Sequence, residues 1–149
     1  MKDEPLNANA FAEELLTEAR RILQFWQSHM VDRERAGFYG RIDGEGRLHP
    51  EADKGVVLNA RILWTFAAAH RQFGDTAFRH LAVRAYDYLR DYFADEKYGG
   101  VYWMLDSEGR VVEPKKQIYA QAFTIYALAE YHRALPEEAA RDWAIELFR

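Results

Sequence analysis

The 149-residue sequence contains no cysteine, which excludes disulfide frameworks, thiolate metal centres and thiol nucleophiles. No apolar run approaches the roughly 18 residues of a membrane-spanning helix, so no membrane partner is expected. The opening MKDEPLNANA holds an acidic pair and no apolar leader core, so a cytoplasmic protein is expected. Lysine and arginine form no block able to neutralise a run of phosphates, and the net charge of −4 is spread over mixed-sign faces, which argues against nucleic acid. Metal-binding spacings such as HExxH and glycine-rich phosphate loops are also missing, so neither a metal nor a phosphate cofactor is expected.

What is present is ordinary globular material: 49% hydrophobic and 30% charged residues, enough for one domain spanning 1–149. Aromatics stand out at 15%. Such rings either fill a core or stack on the apolar C–H faces of sugars.

An internal repeat organises the chain. Residues 37–48, GFYGRIDGEGRL, align with residues 100–111, GVYWMLDSEGRV, at an offset of 63. Both alternate side chains about a Gly-containing turn, which predicts short β-hairpins. Before the first hairpin, Phe11, Leu15, Ala19, Ile22, Leu23, Trp26 and Met30 recur at helical spacing over about 9–31, a one-sided helix. Before the second, Asp75 is placed to cap a helix after the helix-ending Gly74, with Phe78, Leu81, Ala82, Ala85, Leu89 and Phe93 on one stripe.

The helices after each hairpin differ in kind. Residues 55–67 and 117–128, offset by 62, are apolar almost all the way round, which predicts burial on every side. Pro136 at a first helical position opens a final outer helix over 137–149. Outer helices shielding inner ones, with hairpins at the inner N-termini, are the plan of an all-α fold: an incomplete α/α toroid of outer/inner helix pairs, about two and a half repeats. Two and a half repeats do not close a ring, so the inner helices expose apolar faces and self-association through them is expected.

Polar residues in the inner helices are the candidate site. Arg61 in an apolar surround needs compensation. It is either paired with a carboxylate or at the helix edge, or it faces a cleft where its fork of donors holds substrate oxygens. Tyr119 and Gln121 lie on the first turns after the second hairpin, where a toroid places its cleft; Tyr119 is otherwise a core ring with a satisfied hydroxyl. His29 and His80 fall on outer helices, His49 in a loop, and His70 and His132 near the far ends of inner helices, none placed as a catalytic base.

The stretches DRERAGFYGRID, KGVVLNARILWTFAAAHRQFGD, EKYGGVYWMLDSEGR and KKQIYAQAFTIYALAEYHRA, in that order within a similarity running from about Phe25 to Arg149, resemble the N-acylglucosamine 2-epimerase and cellobiose 2-epimerase superfamily, more closely its cellobiose branch. The resemblance implies that the chain is the N-terminal part of an (α/α)6 barrel. It implies isomerase activity at C2 of a reducing-end glucose, through a cis-enediolate and a pair of histidines, without a metal or organic cofactor. Arg61 corresponds to the family's inner-helix arginine, which stabilises enediolate charge, and Tyr119 to a substrate hydrogen-bond partner. Asn59 and Trp103 are weaker correspondences. The family's catalytic histidines and sugar-stacking tryptophans belong to later repeats absent from these residues, so no isolated activity is expected. Aldose–ketose isomerisation in the same barrel and a non-catalytic carbohydrate-binding or assembly module are the alternatives.

Overall fold

The structure, a computed structural model, describes residues 7–149 and divides after Met30. The first unit is helix α1 (Ala8–His29). Asn7 caps it, its side-chain oxygen accepting from the backbone N–H of Asn9 at 3.2 Å and Ala10 at 3.4 Å. Phe11, Leu15 and Ile22 on the expected stripe are exposed.

The second unit, from Val31, holds α2 (Val56–Phe73), α3 (Thr76–Tyr88), α4 (Ile118–Ala134) and α5 (Glu138–Phe148), with three short strands. Strands β1 (Lys54–Gly55), β2 (Met104–Leu105) and β3 (Val111–Glu113) form an antiparallel sheet in that order, Lys54 opposite Leu105 and Met104 opposite Glu113. The second hairpin is thereby tied to the strand that opens α2.

Asp75 caps α3, accepting from the Ala77 N–H at 2.8 Å, and Gly74 ends α2 in the left-handed conformation at φ 68°, as the sequence predicts. One π turn, Leu89–Phe93, extends α3. Pro136 lies one residue before the α5 N-cap, Glu137, rather than inside the helix. Glu137 stays extended because its carbonyl accepts from His132 Nδ1 at 2.9 Å and its carboxylate from the Tyr131 hydroxyl at 3.1 Å.

The repeat is visible atom by atom. The bridge Val31–Phe38 recurs as Ala94–Val101, and Ile42–Leu48 recurs as the β2–β3 pair Leu105–Val111. Asp32 Oδ1 accepts from the Glu34 and Arg35 amides while Oδ2 receives Lys54 Nζ at 2.9 Å; Asp95 does the same with Lys97, Tyr98 and, at 2.6 Å, Lys116. Each lysine also donates to a loop carbonyl, Ala36 or Gly99. Each repeat therefore pins a loop after its outer helix to the start of its inner helix. Gly37 and Gly100, at φ 71° and 77°, make the corresponding loop bends that L side chains resist. Arg84 of α3 closes the first loop, donating to the carbonyls of Gly37, Arg35 and Asp32.

Core rings run from Phe38 through Phe66 to Phe78, with centroids 6.0 and 6.1 Å apart. Tyr131 of α4 stacks on Tyr86 of α3 at 4.6 Å. Full burial of each such side chain contributes about 1.5–3 kcal/mol.

Candidate functional site

The inner helices are not buried on every side. Arg61 is exposed and Trp64 and Thr65 half-buried on α2; Ile118, Tyr119, Ala122 and Tyr126 are exposed on α4. The apolar periphery expected to be enclosed includes one open face, because aromatic and small residues satisfy a cleft wall and a core equally well in a pattern count.

Those faces enclose an open cleft of 770 Å³ lined by Arg61, Trp64, Thr65, Tyr119, Ala122, Phe123 and Tyr126. Helical spacing places them: Arg61 and Trp64 are three apart on α2, and Tyr119, Phe123 and Tyr126 four and three apart on α4. Trp64 and Tyr126 occupy equivalent positions of the two repeats and stack at 5.2 Å. Tyr119 meets Phe123 edge-on at 4.8 Å.

Arg61 makes no hydrogen bond or ion pair among the described residues, whereas the other α2 arginine, Arg71, binds Glu130 at 2.8 Å. Of the readings open for Arg61, the carboxylate pair is therefore absent, and the guanidinium faces the cleft with its donors free. Burial and then the Glu130 charge push the Tyr126 hydroxyl above its ordinary pKa while Arg61 pulls the other way, so the group stays a neutral donor. No carboxylate or imidazole lines the cleft among the described residues. The wall can bind and stabilise negative charge but carries no base to move a carbon-bound proton.

The sequence candidates separate. Arg61 and Tyr119 come together in the cleft; Asn59, Gln121 and Trp103 do not line it. Gln121 is committed to the fold, accepting from the Val101 N–H at 3.0 Å and donating to its carbonyl at 3.1 Å. Asn59, its counterpart in the first repeat, is 1% exposed, donates to the Gly55 carbonyl at 2.9 Å and leaves its buried oxygen without a partner. A side chain one methylene shorter makes the local bond and not the clip. Trp103 sits on the hairpin, with Lys115 Nζ 5.5 Å from its ring centroid and its carbonyl accepting from the Val56 N–H. Sequence reasoning misses Trp64, Thr65, Ala122, Phe123 and Tyr126 of the cleft; the three- and four-residue steps from Arg61 and Tyr119 that place most of them are the signal.

Paired helices with hairpins at the inner N-termini, and an aromatic cleft lined by Arg61, define an α/α-toroid wall. The family described as N-acylglucosamine 2-epimerase (GlcNAc 2-epimerase) matches residues 37–149, and the chain belongs to that family. It is 52% identical to a cellobiose 2-epimerase of Bacteroides fragilis over 128 residues, covering 86% of this chain and 33% of that protein. The solved cellobiose 2-epimerase of Bacillus thermoamylovorans B4167 superposes with a TM-score of 0.84 at 37% identity, over 91% of this chain and 36% of that one. That from Spirochaeta thermophila gives 0.85 at 33% identity, over 97% and 37%. The fold is all-α, part of an (α/α)6 barrel. The chain spans about a third of the length of the curated relatives it matches. No helix among the described residues is long and apolar enough to cross a membrane.

Proposed function

We propose that this chain forms the N-terminal wall of the cleft in a sugar 2-epimerase of the cellobiose 2-epimerase type, interconverting glucose and mannose at a disaccharide's reducing end. The observation that carries the reading is Arg61: a cation without a protein counter-charge among the described residues, set in an aromatic cleft, in a chain 52% identical to a cellobiose 2-epimerase. Removing the C2 proton of an opened sugar leaves negative charge on the C1 and C2 oxygens of an enediolate. A guanidinium fork stabilises that charge more than it stabilises the neutral sugar, which lowers the barrier. Tyr119 and the neutral Tyr126 hydroxyl supply hydrogen bonds, and the Trp64–Tyr126 stack supplies an apolar surface for a sugar face.

Proton transfer falls to groups outside this wall, so the chain alone binds sugar weakly and turns over nothing. Self-association through the open face of α2 and α4 is the competing fate of that wall. The test is a chimera in which this chain replaces the matching third of the Bacteroides fragilis protein, assayed with cellobiose. Glucosyl-mannose as product supports the reading. A ketose product assigns aldose–ketose isomerisation instead, and sugar binding without turnover assigns the non-catalytic module.

A further inference from the structure

A threonine hydroxyl inside a helix either bonds back to the carbonyl four residues earlier or turns outward. Thr17 of α1 bonds back to Glu13 at 2.8 Å and Thr124 of α4 to Ala120 at 2.9 Å. Thr65, in the middle of α2, does not: its hydroxyl has no hydrogen-bond partner among the described residues, and its half-buried side chain lines the cleft. The repeat does not require a hydroxyl there. At an offset of 62 Thr65 corresponds to Ala127, a methyl at 0% exposure. Arg61 and Thr65 are four residues apart, so they stand one turn apart on one face of α2, with roughly 5–6 Å between their Cβ atoms.

We infer that Thr65 is a specificity-determining residue that binds the C3 hydroxyl of the reducing-end sugar, a role that rests on the reaction proposed above. The Arg61 fork takes the two oxygens that become the enediolate, those on C1 and C2. C1 ends the carbon chain, so the only oxygen next to that pair is the one on C3. The unpartnered hydroxyl one turn along from the guanidinium is placed to meet it. Holding the C3 oxygen fixes the rotation about the C2–C3 bond, and with it the direction in which the C2–H bond points as the proton leaves. The cleft wall thereby selects sugars with a free hydroxyl at C3, since an analogue without one leaves Thr65 unpaired.

The test measures exchange of the reducing-end C2 proton in heavy water by the chimera described above. Two substrates are compared: cellobiose, and cellobiose lacking the C3 hydroxyl of its reducing-end glucose. Thr65→Val keeps the branched shape and gives up no hydrogen bond within the protein, so its melting temperature should match the parent's. Its kcat/KM on cellobiose is expected to fall about tenfold, the worth of one hydrogen bond. The parent should lose about as much on the deoxy sugar, and Thr65→Val should lose nothing further there, because the contact is already gone. Tyr126→Phe, which removes another hydroxyl of the cleft, should lower the rate on both sugars alike. Parent rates in folded Thr65→Val overturn the inference, as do losses that multiply when substitution and deoxygenation are combined, or a deoxy penalty cancelled by Tyr126→Phe instead. A parent chimera that exchanges no C2 proton removes the proposed reaction and the inference together. An active parent with an indifferent Thr65→Val removes the inference alone.

Discussion

The same aspartate–lysine strut holds both repeats, but Asp32 and Lys54 have side chains at 0% exposure, whereas Lys116 beside Asp95 is 32% exposed. The comparison separates what a fold repeats from what each copy depends on. In the first repeat the ion pair is sealed, so removing Lys54 leaves a buried carboxylate held only by the Glu34 and Arg35 amides and an Arg35 guanidinium 3.9 Å away. In the second, water reaches the lysine and takes over part of its task. The amide pair runs the other way: Gln121 completes its clip on Val101 while Asn59 falls short and leaves an oxygen unsatisfied.

The largest effect that would sharpen this contrast is Lys54→Met. It strands the Asp32 carboxylate and should lower unfolding free energy by about 3–5 kcal/mol, read from urea midpoints, against a loss of about 1 kcal/mol for Lys116→Met. Equal losses would break the comparison. Next comes Gln121→Ala, which removes two hydrogen bonds and leaves the Val101 amide and carbonyl short of partners, at a cost of about 1–3 kcal/mol. Thermal denaturation checks it, and an unchanged melting temperature would show that the clip contributes nothing.

Acid reaches the second strut in a defined window. Lys116 first, outweighing the effect of burial, and then the Tyr98 and Lys97 amides hold the Asp95 carboxyl at about 2, below its ordinary 3.8. A carboxylate with a depressed native pKa adds stability above its unfolded value and loses it as pH falls toward the native one. Stability should therefore drop between about pH 4 and pH 2, and Lys116→Met should flatten that drop; an identical pH profile in the variant would contradict the assignment. The smallest effect is expected at Asn59→Ala. It gives up the bond to the Gly55 carbonyl but also removes the unsatisfied oxygen, so the change should stay within about 1 kcal/mol. A loss comparable to that of Gln121→Ala would mean the two amides do equivalent work.

Much of this architecture is legible in the residues alone. The 63- and 62-residue offsets, the Asp75 cap and the two kinds of helix all follow from local pattern, because repeats preserve the periodicity that packing requires. An open face on the inner helices is expected of an unclosed ring, but which residues line it does not follow, since Trp64, Phe123 and Tyr126 have the same composition whether they fill a core or line a cleft. Nothing in the residue pattern marks Asp32 and Asp95, and only the three-dimensional meeting with Lys54 and Lys116 shows them to be struts. Asn59 is a candidate through the family resemblance, and Gln121 through its place on the first turns after the second hairpin. Gln121's partner is the backbone of Val101 in a distant loop, which side-chain pattern does not reveal, and Asn59 bonds only one turn back to the Gly55 carbonyl.

The proposed stabilisation by Arg61 of charge formed as a sugar C2–H bond breaks is open to direct measurement. It is tested most directly by following loss of the reducing-end C2 proton of cellobiose in heavy water by NMR, in the chimera with and without Arg61→Ala. Exchange is expected in the parent chimera, with a loss of about a hundredfold or more in the variant, whose melting temperature is preserved. Exchange at the parent rate in the folded Arg61→Ala protein would contradict it.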